Sequence, residues 1–209
     1  AINQLHRKYP AAIIIVTGCY AQLQPEQISH IPGVDYVLGQ NEKYDIPALI
    51  DEVEKRKGEE MKECKIRVAA IREINDFHGV HSADDRTRCF IKVQDGCNYF
   101  CTYCTIPYAR GKSRNPKIEE VIKDAQVALD QGAKELIITG VNIGDFGRST
   151  GEQFVDLLRA FDRLNGDYRV RISSCEPNLL TGEIIDFVAN SKHFAPHFHI
   201  PLQSGSNEV

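Results

Sequence analysis

The chain predicts an α/β protein built on a parallel sheet or barrel and preceded by a smaller α/β piece. Three observations carry that expectation. From Gln94 onward, apolar strand-like runs alternate with segments of helical period, the pattern of successive βα units. A separate set of strand-like and helical runs precedes residue 56. Between the two sets lie a charge-dense stretch over 55–63 and a polar, poorly periodic one over 76–88, which place a domain boundary between 1–75 and 76–209.

In the first part, residues 11–16 read as an apolar strand ending at Thr17-Gly18-Cys19, 33–38 as a second strand and 46–55 as a helix. In the second part, 89–94 reads as the first strand. The following helix is expected from Asn115 as its cap and Pro116 as its first residue, with Ile118, Val121, Ile122, Ala125, Ala128 and Leu129 on one face and Gly132 as its stop;. Residues 135–139 form a short buried strand, followed by a glycine-rich loop over 140–144 and a helix whose Phe154, Leu157, Leu158, Phe161 and Leu164 share a face. A third strand is expected over 168–173, a third helix over 181–190 and a fourth strand over 197–202.

With 42% hydrophobic residues in 209, the chain can bury a sizeable core;. No apolar run approaches the about 20 residues that span a bilayer, and the first nine residues show no signal pattern, so a cytoplasmic protein is expected;. The net charge of −4 gives no global support for nucleic-acid binding, and any RNA contact must be argued locally;. The chain has no starting Met and stops at a strand-to-loop transition, Ser204 to Val209, so it is expected to be part of a longer protein.

Seven cysteines are present, an odd number, and three of them crowd into Cys97-Asn-Tyr-Phe-Cys101-Thr-Tyr-Cys104. Without a secretory signal, that crowding points to metal rather than to disulfides. The three directly follow a strand, at the end where parallel α/β barrels hold their active sites. An iron–sulfur cube needs four ligands, so three thiolates leave one iron open to substrate. The alternative is zinc, with Cys101 and Cys104 as half of a ribbon, although no second C-x-x-C pair exists;.

Other candidates stand out by position. Gly140 ends a buried strand, where a missing side chain allows either close ligand approach or a tight turn. Arg110, Lys112, Arg114 and Lys117 cluster just before a helix start, where the macrodipole disfavours cations. They suit a negatively charged partner such as a phosphate, or a solvated loop. Arg171 and Glu176 could pair with each other or reach cofactor and substrate. His193, His197 and His199 straddle a helix-to-strand junction around Pro196 and suit structural roles.

The C-x-x-x-C-x-x-C spacing with Tyr103 before the last cysteine resembles the radical S-adenosylmethionine (SAM) superfamily. The resemblance implies a [4Fe-4S] cluster on Cys97, Cys101 and Cys104, an open iron that chelates SAM, and one-electron cleavage to methionine and a 5′-deoxyadenosyl radical. Thr17-Gly18-Cys19-Tyr20-Ala21-Gln22, 106–114 and 199–206 further resemble the methylthiotransferases. This implies a partial radical-SAM (βα) barrel preceded by part of a small α/β methylthiotransferase N-terminal domain. It also implies an auxiliary cluster with Cys19 as the last of its three ligands; the other two would precede Ala1. Tyr103, Gly140, Asn142, Arg171, Glu176, Gln203 and Ser204 match cofactor-binding positions, and Arg110, Lys112 and Arg114 are the substrate phosphate candidates.

The strings over 139–144 and 171–177 look most like the branch acting on threonylcarbamoyladenosine beside the tRNA anticodon. A tRNA substrate, a flavodoxin- or ferredoxin-class reductase and a monomer are therefore expected. The alternatives are an isopentenyladenosine or ribosomal-protein target, or a non-catalytic iron–sulfur or zinc module that binds RNA.

Overall fold

The computed structural model describes residues 1–55, 63–79 and 87–208. Most of the stretch over 55–63 and much of 76–88 lie outside the described residues. The chain divides into two compact units, Ala1–Asn75 with Tyr99–Gly111, and Asp76–Asn98 with Lys112–Val209. Among the described residues, no helix is long and apolar enough to cross a membrane.

The first unit runs α1 (Ile2–Lys8), β1 (Ile15–Thr17), α2 (Cys19–Leu23), α3 (Pro25–Ser29), β2 (Tyr36–Leu38), α4 (Ile46–Lys55), β3 (Lys65–Arg67) and α5 (Ile106–Arg110). Its sheet is parallel with order β1-β2-β3, pairing Val16 with Val37 and Val37 with Ile66. β2 is central and buried on both faces. Tyr36 and Leu38 pack with Leu49, Ile46 and Val53 of α4, while Val37 packs with Ala21, Ile28 and Val34. The spacing of Ile46, Leu49 and Val53 is one face of a helix, which is why α4 matches its expected bounds. β1 is shorter than expected because Ala11, Ala12 and Ile13 are exposed; pairing begins only where β2 offers a partner, Ile15 opposite Tyr36. β3 had no signal in the sequence, since Lys65-Ile66-Arg67 is too short to show a period. Residues 99–111 join this unit because α5 packs against α2.

The second unit contains β4 (Arg88–Lys92), α6 (Ile118–Asp130), β5 (Glu135–Thr139), α7 (Phe154–Phe161), β6 (Arg169–Ile172) and α8 (Gly182–Asn190). Its sheet is parallel with order β4-β5-β6. One face carries Cys89, Ile91, Leu136, Ile138, Val170 and Ile172, all buried with Val121, Ala125, Leu157, Leu158, Phe161, Ile184 and Val188 from the helices. Burial of each large apolar side chain contributes about 2 kcal/mol. This is the α/β architecture with successive parallel βα units that the alternating pattern predicted.

Two expectations about this unit are corrected. Asn115 does not cap α6: its amide bonds to Ser149 Oγ (2.8 Å) and Thr150 Oγ1 (3.0 Å). The helix begins two residues after Pro116, and its first N–H, that of Ile118, donates to Glu152 Oε1 at 3.0 Å. The cap is thus supplied from another loop. The fourth strand over 197–202 does not form; isolated parallel bridges pair Val170 with Phe194 and Ser174 with His199. Pro196 and Pro201 lack the N–H groups that a continuous ladder needs.

Two buried carboxylates brace the sheet. Glu135, at the start of β5, receives Arg171 (2.9 Å) and Arg88 (2.9 Å), with Arg169 at 3.5 Å. Asp95 receives Lys92 (2.7 Å) and Arg114 (3.3 Å). Burial alone would raise both pKa values, but the Lys92 ammonium and Arg114 guanidinium hold Asp95 below its usual range, and Arg171, Arg169 and Arg88 do the same for Glu135. A depressed folded-state pKa gives stability that is present above the unfolded value of about 4 and lost as pH falls through the folded value. Asp95→Asn is expected to cost about 3 kcal/mol at pH 7, because two partly buried cations lose their carboxylate. In urea titrations against the parent, that difference shrinks below about pH 4; a pH-independent difference would refute the ion-pair account.

Candidate cluster and cofactor site

The cysteine loop is anchored at its base within the second unit. After β4, Val93 N–H donates to Thr139 O (2.9 Å), and Asp95 and Arg114 exchange backbone hydrogen bonds of 3.0 and 2.9 Å. Asn98 Oδ1 accepts from Ser113 N–H at 3.0 Å. Gly96 turns the chain at φ 72, with its N–H on Asp95 Oδ1 (2.9 Å), and Cys97 follows directly. A glycine is needed there because a side chain disfavours positive φ. Cys97 belongs to the second unit, while Cys101 and Cys104 belong to the first.

Within the first unit, Cys104 N–H donates to Cys101 O (2.9 Å), a turn that leads into α5. Phe100, just before Cys101, has φ 49, the one non-glycine residue with positive φ among the described residues. Such backbone is held only where surrounding structure requires it; the Phe100 ring packs edge-on against Tyr108 of α5, centroids 5.6 Å apart. Cys19 opens α2, after Gly18 at φ 121, and Gln40 Nε2 points to its sulfur at 3.6 Å. The helix that starts at Cys19 is therefore the one packed on the helix that follows Cys104.

The glycine-rich loop is built tightly. A Cβ on Gly140 would lie 2.8 Å from Ile143 Cγ2, 2.9 Å from Gln94 O and 3.0 Å from Gln94 Oε1, so no larger residue fits without displacement. The Asn142 side chain accepts from Glu176 N–H (3.3 Å), while its buried Nδ2 has no hydrogen-bond partner among the described residues. Gln203 Nε2 in turn reaches Glu176 Oε1 at 3.4 Å.

The structure thus links Asn142, Glu176 and Gln203 beyond the C-terminal ends of β5 and β6, next to Gly140. Ser204 Oγ accepts from Ser206 N–H (3.0 Å) within its own turn. Arg171 stands apart and pairs with Glu135 rather than Glu176. Tyr103 is exposed. Arg114 is 8% exposed, with its guanidinium committed to Asp95, Asp76 O and Lys112 O. It closes the loop, whereas Lys112 is exposed and Arg110 ends α5, where a cation suits the macrodipole;. Gln94 and Asp95, which do the anchoring, were not picked out from sequence. The signal was a buried-strand run continuing into an amide and a carboxylate directly before Gly-Cys.

All seven cysteines are thiols. Burial pushes Cys175 up to about 11 and raises Cys64, which makes both poor metal ligands;. The triad and Cys19 are all partly exposed. Among the described residues, no three His, Cys, Asp or Glu side chains are gathered to hold a metal ion; ligand loops are commonly organised by the metal they bind. Three partly exposed thiols in one loop suit a three-thiolate cluster, and within the second unit the buried Asn142 Nδ2, without a hydrogen-bond partner among the described residues, suits a small polar ligand;.

Comparisons with known proteins agree. The family model described as "Radical SAM superfamily" matches residues 91–209. Two proteins named threonylcarbamoyladenosine tRNA methylthiotransferase MtaB are similar over all of this chain: that of Bacillus subtilis, 41% identical, and that of Thermotoga maritima, 38% identical, each covered to 46%. A tRNA-2-methylthio-N(6)-dimethylallyladenosine synthase of Fusobacterium nucleatum is 34% identical over 94% of this chain and 45% of its own length. The chain spans about half the length of the curated relatives it matches. With the family model covering more than half of the residues, and its matched segment starting in β4 and running through the cysteine loop and the Gly140 loop, the chain belongs to the radical SAM superfamily.

Proposed function

We propose that the protein is a tRNA methylthiotransferase that adds a methylthio group at C2 of N6-threonylcarbamoyladenosine beside the anticodon. The observation that carries this reading is similarity to the MtaB proteins along the entire chain, 41% with that of Bacillus subtilis, so that both units are matched and not the cysteine loop alone. Cys97, Cys101 and Cys104 hold the radical-generating [4Fe-4S] cluster, which when bound supplies the electron that cleaves SAM. Gly140 lets the backbone approach the cofactor, and Asn142 Nδ2 offers it an unused donor. Glu176 and Gln203 support that rim, while the exposed Lys112 meets RNA phosphates;. Cys19, with Gln40 as a hydrogen-bond donor to its sulfur, is a ligand of a second cluster. The protein works as a cytoplasmic monomer, and its electrons come from a flavodoxin- or ferredoxin-class reductase.

Mass spectrometry of tRNA from a strain lacking the gene tests the target. Methylthio-threonylcarbamoyladenosine is expected to disappear, with its unthiolated precursor in its place. Unchanged levels would exclude this target, and loss of the methylthio-isopentenyl nucleoside instead would assign the dimethylallyladenosine activity of the Fusobacterium relative.

A further inference from the structure

Gln94 is fully buried, at 0% exposure, and uses both ends of its amide. Its Nε2 donates to Gly96 O at 2.8 Å, Ser113 Oγ at 3.0 Å and Asp95 O at 3.1 Å. Its Oε1 accepts from the N–H groups of Val141 and Asn142, each at 2.9 Å. The donor end therefore holds the residue before Cys97 and one that pairs with Asn98, while the acceptor end holds the loop after Gly140. These two loops lie 47 and 48 residues apart in the chain, and few side chains could bond both. An amide can: it offers two donors and an acceptor with two lone pairs, and inside a core each satisfied bond is strongly directional. The absence of a Cβ at Gly140 is part of the same arrangement, since that atom would press on Gln94 O and Oε1.

We infer that Gln94 is a positioning residue that fixes the Gly96–Cys97 turn and the Gly140–Asn142 loop in one register, so that cluster ligand and cofactor-facing backbone are presented together. The inference rests on the radical reading of the site. Gln94 itself touches neither cluster nor cofactor; it acts through Gly96, Val141 and Asn142.

The test is a SAM titration of the anaerobically reconstituted, dithionite-reduced full-length protein, followed by the electron paramagnetic resonance spectrum of the cluster. Gln94→Leu is expected to keep its iron content and its SAM-free spectrum. The SAM concentration giving half of the spectral change should rise at least about tenfold, as when an outer-shell partner is lost, and KM for 5′-deoxyadenosine release should rise more than kcat falls. Gln94→Glu keeps the acceptor for Val141 and Asn142 but turns an oxygen against the carbonyls of Asp95 and Gly96. It is expected to shift the half-saturation in the same direction and replaces the leucine variant should that fail to fold. Wild-type half-saturation in a folded variant, or parallel loss of iron and SAM response, would overturn the role of Gln94. A parent protein whose cluster spectrum ignores SAM would instead refute the reading of the site.

Discussion

Cys101→Ala is expected to abolish cleavage of SAM to 5′-deoxyadenosine in the full-length, reconstituted protein. An outer-shell partner of a metal ligand is worth about 10–100-fold, so removal of a thiolate itself should exceed a hundredfold. Three thiolates are the minimum that holds the cube while leaving one iron open, and Cys64 and Cys175 cannot substitute, being raised by burial away from the thiolate form. Chromatographic measurement of 5′-deoxyadenosine, with iron content alongside, checks this. Cys64→Ala serves as the control and should keep both the iron and the turnover of the parent. Parent-like turnover in Cys101→Ala would remove the triad from the chemistry and reopen the zinc alternative.

Gly147→Ala should be the most damaging single change to stability in the glycine-bearing loops. Gly147 has φ +91, and a Cβ there would sit 1.9 Å from Glu152 O and 2.4 Å from Glu152 C. Those atoms are backbone, held by the turn in which Thr150 and Gly151 N–H groups bond back to Gly147 O, at 3.1 and 2.7 Å, and they cannot swing aside. Glu152 also caps α6 through Ile118, so the strain reaches a second element. The left-handed backbone costs about 1–2 kcal/mol and the overpacking a further 1–3 kcal/mol. A loss of about 3 kcal/mol lowers the Tm of a chain this size by roughly 6–12 °C. Gly151→Ala separates the two causes, since its φ is +80 but no atom lies within 4 Å of the added Cβ. It should lose only the backbone share, and equal Tm shifts for both variants would show that the clash is not what matters.

Both predictions start from residues that were visible in the sequence in different degrees. The cysteine triad announces itself because metal-ligand chemistry imposes a spacing on consecutive residues. Gly147 is one glycine among 15, and its constraint comes from where Glu152 happens to fold. The same contrast runs through the site. Gly140 was singled out for its place at a strand end, and its position next to Gln94 supplies a steric reason for it. Arg114 looked like a phosphate contact from its neighbours in sequence, but it is turned inward onto Asp95. Arg171 was expected either to pair with Glu176 or to reach a ligand, yet Glu135 on the adjacent strand takes it.

By itself the sequence determined the α/β class, the bounds of α4 and β5, the apolar faces of α6 and α7 and the crowding of three cysteines into one loop. All of these depend on residues close together in the chain, where period and spacing leave a local trace. Only the tertiary structure decided that Asp95 and Arg114 close the cysteine loop, that Glu152 caps α6, that Gln94 joins the loops of Cys97 and Gly140, and that the fourth strand is reduced to single bridges. Each of those is a choice of partner across tens of residues, and a buried amide or carboxylate accepts many partners equally well until packing brings one of them within about 3 Å.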